Sequence, residues 1–178
     1  MRLAMPFAAA LILGASAGAF AQPPVPQPGP EHEVLKRDVG TWDVTLEITP
    51  APGMPPFSMT GVETNTMFGG RWILTENKFD MMGQTFEGHG ISGYDPAKKA
   101  YVSTWADTMS TSLNVGEGTF DAATNTLTGW SEVADPAGGK TKAKTVTTWP
   151  GPDERLVKMY LPADAPQPFM TMTYKKRK

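Results

Sequence analysis

Gly40-Thr41-Trp42-Asp43-Val44-Thr45-Leu46-Glu47-Ile48-Thr49 is the stretch on which the fold turns. From Thr41 the chain alternates without a break. Trp42, Val44, Leu46 and Ile48 fall on one side, and Thr41, Asp43, Thr45, Glu47 and Thr49 fall on the other. Successive side chains of a strand point to opposite faces, so this period of two predicts a half-buried β-strand.

Working upstream, residues 31–39 offer one short helix with Val34, Leu35 and Val39 on its apolar face, ended by Gly40. Before it, residues 22–30 carry five prolines in nine positions. Few donors and a stiff polyproline tendency predict a disordered, extended tether outside the core. The first 21 residues read as a secretory signal: Arg2, an apolar run from Phe7 to Leu13, small residues, then Ala19-Phe20-Ala21 before Gln22. That run is shorter than the roughly 20 residues of a membrane-spanning helix. The expected organisation is therefore a signal over 1–21, a linker over 22–30 and one domain over 31–178, exported to the periplasm or secreted after cleavage behind Ala21.

Downstream, short β-rich runs alternate with turn residues. Strands are expected at 59–67, 72–80, 85–92, 99–106, 113–120, 126–133, 141–149, 155–161 and 169–175. Pro50 to Pro56 reads as a loop. Asp95-Pro96, Asp121 to Asn125, Asp135 to Gly139 and Pro150 to Asp153 read as hairpin turns. A meander of nine or ten strands must curl, and closing it removes exposed edges. The predicted fold is all-β: a single antiparallel up-and-down barrel with one short N-terminal helix. Glu63 and Asn65 share a strand face with Met59 and Met67, and His89 shares one with Ile91. Polar groups on such a face suit a partly polar interior, or a different register.

With no cysteine, disulfide staples, thiolate metal sites and a lipid-modified N-terminus are excluded. The chain has 16 basic and 18 acidic residues; losing Arg2 with the signal leaves 15 against 18, a net charge of −3. No basic field exists to gather nucleic acid, and no membrane anchor is expected. The Lys175-Lys176-Arg177-Lys178 tail reads as a solvated end.

The helix followed by Gly40-Thr41-Trp42 resembles the opening signature of lipocalin and calycin barrels. The resemblance implies that Trp42 plugs the closed end, with a basic residue between Tyr174 and Arg177 stacked over it. A longer ordered series covers most of the chain: His32-Glu33-Val34-Leu35, Gly40-Thr41-Trp42-Asp43, Gly69-Gly70-Arg71-Trp72, Phe86-Glu87-Gly88-His89-Gly90, Gly93-Tyr94-Asp95, then Tyr101, Trp105 and Asp107. It is similar to domain-of-unknown-function family 1579, bacterial proteins with lipocalin-like barrels. That family has no settled activity, so the resemblance implies a fold and a cavity, not a reaction.

No catalytic set emerges from the residues. No Gly-x-Ser-x-Gly surrounds a serine, and no pair of carboxylates can be shown to converge. His32 reads as a cap or surface residue. His89, between two glycines, reads as a hydrogen-bonded or exposed strand residue, with a ligand-contacting or haem-ligating role as the sharper alternative. One histidine gives no metal spacing, so neither metal nor cofactor is expected. Met170 and Met172 share a face and read as core or cavity lining, with copper(I) coordination as the alternative. Arg71 and Glu76 could pair or enter the cavity; Tyr101, Ser103, Trp105 and Asp107 share one face. The expectation is a barrel holding a small, mainly apolar or amphipathic molecule, its mouth opposite Trp42. Trp72, His89, Tyr101, Trp105 and Trp130 are the candidate contacts. The rival expectation is a filled barrel acting as a structural or protein-interaction module of the cell envelope.

Overall fold

The structure, a computed structural model, describes residues 25–49, 54–81, 83–134 and 138–178. The signal read over 1–21, the start of the linker, most of the Pro50–Pro56 loop and residues 135–137 lie outside the described residues.

Helix α1 spans Glu31–Lys36. Ten strands follow: β1 Gly40–Ile48, β2 Phe57–Phe68, β3 Trp72–Met81, β4 Gln84–Asp95, β5 Ala100–Asp107, β6 Asn114–Asp121, β7 Thr126–Ala134, β8 Lys140–Gly151, β9 Glu154–Tyr160 and β10 Met170–Lys176. Each pairs antiparallel with the next, and β1 pairs with β10 to close the barrel. Every strand read from the sequence is present, most extending by one to three residues at an end. The helix is shorter than expected. Arg37 and Asp38 turn away after Lys36, because Asp38 is drawn into the barrel: its carbonyl accepts from Trp42 Nε1 at 2.8 Å and its carboxylate from Trp149 Nε1 at 2.9 Å.

The register assigns the inner face. Trp42, Val44 and Leu46 are buried while Asp43, Thr45 and Glu47 are exposed. They pack with Phe79, Val157 and Tyr174, joined by Met59, Met170 and Met172. Both methionines of β10 thus pack against this core. A second apolar cluster sits under α1 and contains Val34, Leu35, Ile73, Tyr101 and Trp149. The helix is therefore a lid on the barrel end where β1 begins and β10 finishes.

Two glycines of β4 are space-makers for tryptophans. A Cβ on Gly88 would lie 2.2 Å from Trp105 Cζ2, inside the barrel; one on Gly93 would lie 2.2 Å from Trp72 Cε3, outside it. Real Cβ atoms do not approach so closely, so only glycine leaves each indole its seat. Residues 25–29 have no regular structure and stay outside the core. Arg71 fastens them: its Nε donates to the Pro26 carbonyl at 3.0 Å. Gly69 and Gly70, with φ of 58° and 70°, form the left-handed turn that brings Arg71 there.

Candidate functional site

Trp42 is fully buried at the lidded end. The Lys176 ammonium lies 5.1 Å from its ring centroid and the Arg155 guanidinium 5.2 Å. Trp42 is thus buried between two cations, one of them from the last strand. Arg155 also lies 3.8 Å over the Tyr174 ring. The sequence reading missed Arg155, although it is the one charge on the otherwise apolar face of β9 formed with Val157 and Met159.

Arg155 is 6% exposed and is clasped by two carboxylates. Its Nη1 lies 3.1 Å from Asp38 Oδ1, and its Nη2 donates to Glu63 Oε1. Glu63 also accepts from Asn65 Nδ2 at 2.6 Å, and Asn65 Oδ1 accepts from Thr75 at 2.6 Å. The polar residues on the inner face of β2 are therefore a buried network. Burial alone would pull the Arg155 guanidinium down, but Asp38 and then Glu63 outweigh it and hold the group above its ordinary value. Burial, reinforced by Glu63, likewise pushes the Tyr174 phenol up. The network is not fully satisfied: Arg155 Nε and Asn77 Oδ1 are buried without partners.

Above this network is a cavity of about 270 Å³. One side of it is formed by β4–β8, where small residues face inward, and the other by Glu63, Ile73, Thr75, Arg155, Val157 and Tyr174 from β2, β3, β9 and β10. Ser92 pairs with Ser103, Ser103 with Gly116, and Gly116 with Ser131, placing a row of small residues across four strands. In the parallel row, Tyr101 faces Gly118, Gly118 faces Gly129, and Gly129 faces Thr145. Leu35, Ile73, Leu127 and Val157 give the cavity its apolar wall. Ser103 is on the inner face yet exposed, so the cavity communicates with solvent. Gly129 borders open space: a Cβ there would meet only the Glu117 carbonyl oxygen, at 3.7 Å.

The candidate contacts divide between the two faces. Tyr101 lines the cavity; its hydroxyl donates to the Glu31 carbonyl at 3.0 Å, and burial, aided by Glu31, raises its pKa to about 12. Trp105 faces inward over Gly88 and Gly90, with its Nε1 donating to Asp107 Oδ2 at 2.9 Å. Trp72 lies outside against Gly93. His89 is exposed on the outer face, paired across β3–β4 with Glu76. Trp130 borders the cavity between Gly129 and Ser131, while the register turns its indole to the outer face, 38% exposed. Glu76 pairs outside with Lys78 at 2.8 Å, and Arg71 holds the N-terminal segment, so neither enters the cavity. His32 is buried in α1, its Nδ1 accepting from the Gly29 amide at 2.9 Å. Neither histidine lines the cavity, and no cluster of three or more metal-binding His, Cys, Asp or Glu exists among the described residues.

Residues 27–176 match the family described as "Protein of unknown function (DUF1579)". The crystal structure of Rv2717c from M. tuberculosis is similar in fold, with a TM-score of 0.61 and 13% identity over 84% of this chain and 99% of that one. No curated protein matches the chain.

Proposed function

This chain belongs to the DUF1579 family of proteins of unknown function, and from that premise we propose that it binds a small molecule inside its barrel. The observation that carries this reading is the cavity of about 270 Å³ between a hydroxyl-bearing wall and an apolar one. Its volume is close to the roughly 300 Å³ at which ligand pockets begin, so the guest is compact. Leu35, Ile73, Leu127 and Val157 contribute affinity by burying its apolar side. The lid of α1 and the Trp42 plug make the opposite end the entrance. The protein acts as an exported carrier or sensor, released from its signal after Ala21, and no catalytic step is invoked.

Native mass spectrometry of the protein purified from its own host tests the reading. A retained molecule is expected on the parent protein and lost from Gly129→Leu, whose side chain would enter the cavity. A folded parent that retains nothing, and whose cavity binds no small molecule in solution, would overturn it.

A second reading, a protein-interaction module of the envelope, is favoured by one observation. Leu74, Ile91, Thr104 and Val115 are successive partners across β3–β6 on the outer face. Leu74, Ile91 and Val115 are 39%, 48% and 58% exposed. An exposed apolar row of this kind marks contact surfaces. Sedimentation of Ile91→Lys beside the parent separates the readings: loss of a self- or partner-complex supports the module.

A further inference from the structure

We propose that the guest is an uncharged, multiply hydroxylated molecule of about monosaccharide size; this rests on the cavity reading above and names the class of ligand. Size comes first. A volume of about 270 Å³ holds on the order of nine groups as large as water, at ~30 Å³ each. A guest held wholly within it is therefore compact.

Wall chemistry comes second. Ser92, Ser103, Ser131, Thr145 and Thr147 line one side of the cavity on the contiguous strands β4–β8. Covering such hydroxyls with a purely apolar guest would strip them of water and return no hydrogen bond. A guest with several hydroxyls replaces that water donor for donor and acceptor for acceptor, while its C–H face lies against Leu127 and Val157. The sequence reading favoured a mainly apolar guest, because the serines and threonines could not then be assigned to the inner face.

Charge comes third. Among the described residues, the charged side chains inside the cavity wall are Arg155, Asp38 and Glu63; Glu117, whose strand also borders it, turns outward to pair with Lys98. Arg155 is already engaged by both carboxylates. An anionic guest would find no free cation, and would meet an excess of one carboxylate. For a cationic guest, Glu63 is spent on Arg155 and Asn65, and Asp38 on Arg155 and Trp149. A neutral guest suffers neither conflict.

The test is calorimetry and thermal-shift titration of the full mature chain with four probes of similar size: myo-inositol, glucuronate, glucosamine and toluene. The expected result is saturable binding of myo-inositol, with the other three weaker by at least about tenfold. Thr145→Val, which keeps the shape and removes one hydroxyl, should weaken myo-inositol binding roughly fivefold. Gly129→Leu should abolish it, with circular dichroism confirming that both variants fold. Binding of toluene or a charged probe in preference, lost in Gly129→Leu, would overturn the hydroxylated class and leave the cavity reading standing. Failure of myo-inositol to bind the folded parent would overturn this inference; the host-retained molecule then decides the broader reading on its own.

Discussion

Replacing Arg155 by methionine is the most demanding perturbation the structure offers. Methionine fills much of the same volume with an unbranched apolar chain, so the change removes charge more than packing. It leaves Glu63, 4% exposed, with Asn65 as its remaining side-chain donor, and Asp38 with Trp149. Breaking a buried ion pair from one side costs about 3–5 kcal/mol, because the other charge stays behind uncompensated. Asn65 and Trp149 soften that penalty, and the loss of the guanidinium over Tyr174 adds to it. A net destabilisation of about 3–4 kcal/mol is expected, which for a domain of this size lowers Tm by roughly 6–16 °C. Urea unfolding followed by tryptophan fluorescence measures it, since Trp42 lies against Arg155. The informative companion is Glu63→Gln, alone and combined with Arg155→Met. Removing both charges should cost less than the two single changes summed, with a coupling of at least about 1 kcal/mol. A single Arg155→Met within about 1 kcal/mol of the parent, or strict additivity in the double variant, would refute the reasoning.

The glycine seats give a sharper steric test: Gly88→Ala should destabilise by about 1–3 kcal/mol through its clash with Trp105, whereas Gly129→Ala should stay within about 0.5 kcal/mol in the same urea assay. Tyr101, which burial pushes from the ordinary tyrosine value up to about 12, should titrate late in an ultraviolet absorbance titration. Because its folded pKa lies above its unfolded one, its contribution to stability is whole below about pH 10 and is lost as pH climbs through about 12; Tyr101→Phe should flatten that decline. A titration at the ordinary value would remove the argument. In the secreted or periplasmic fraction the chain should begin at Gln22, read by intact mass; a full-length product there would contradict the signal.

The fold was legible because its cues are local. Alternation in β1, turn residues between strands and the absence of long apolar helical periods all act over fewer than about a dozen residues. The site was only partly legible because it depends on which face is inside. In β3 both faces carry apolar residues, Trp72 and Leu74 on one and Ile73 and Phe79 on the other, so parity alone cannot choose. The choice is made by neighbours distant in sequence: Gly93 shelters Trp72 outside, and Glu63 reaches Arg155 across 92 positions. Trp130 borders the cavity, but its indole turns outward, for a related reason. It is large and aromatic, yet the cavity lies beside the glycine that precedes it, and an absent side chain leaves no mark in a search for chemically active groups. Glu63 and Asn65 did announce themselves as polar groups in apolar company, and Arg155 carried the same signal on β9.

The closure of β1 onto β10 has a temporal consequence. Asp43 pairs with Lys175, so the seam joins the barrel's earliest strand in the chain to its latest. Until β10 arrives, a nascent chain carries two unzipped margins, each a template for unwanted strands from a neighbour. Such long-range pairing also slows folding. The barrel is therefore complete only once β10 has docked on β1, and its two open edges last as long as that docking takes.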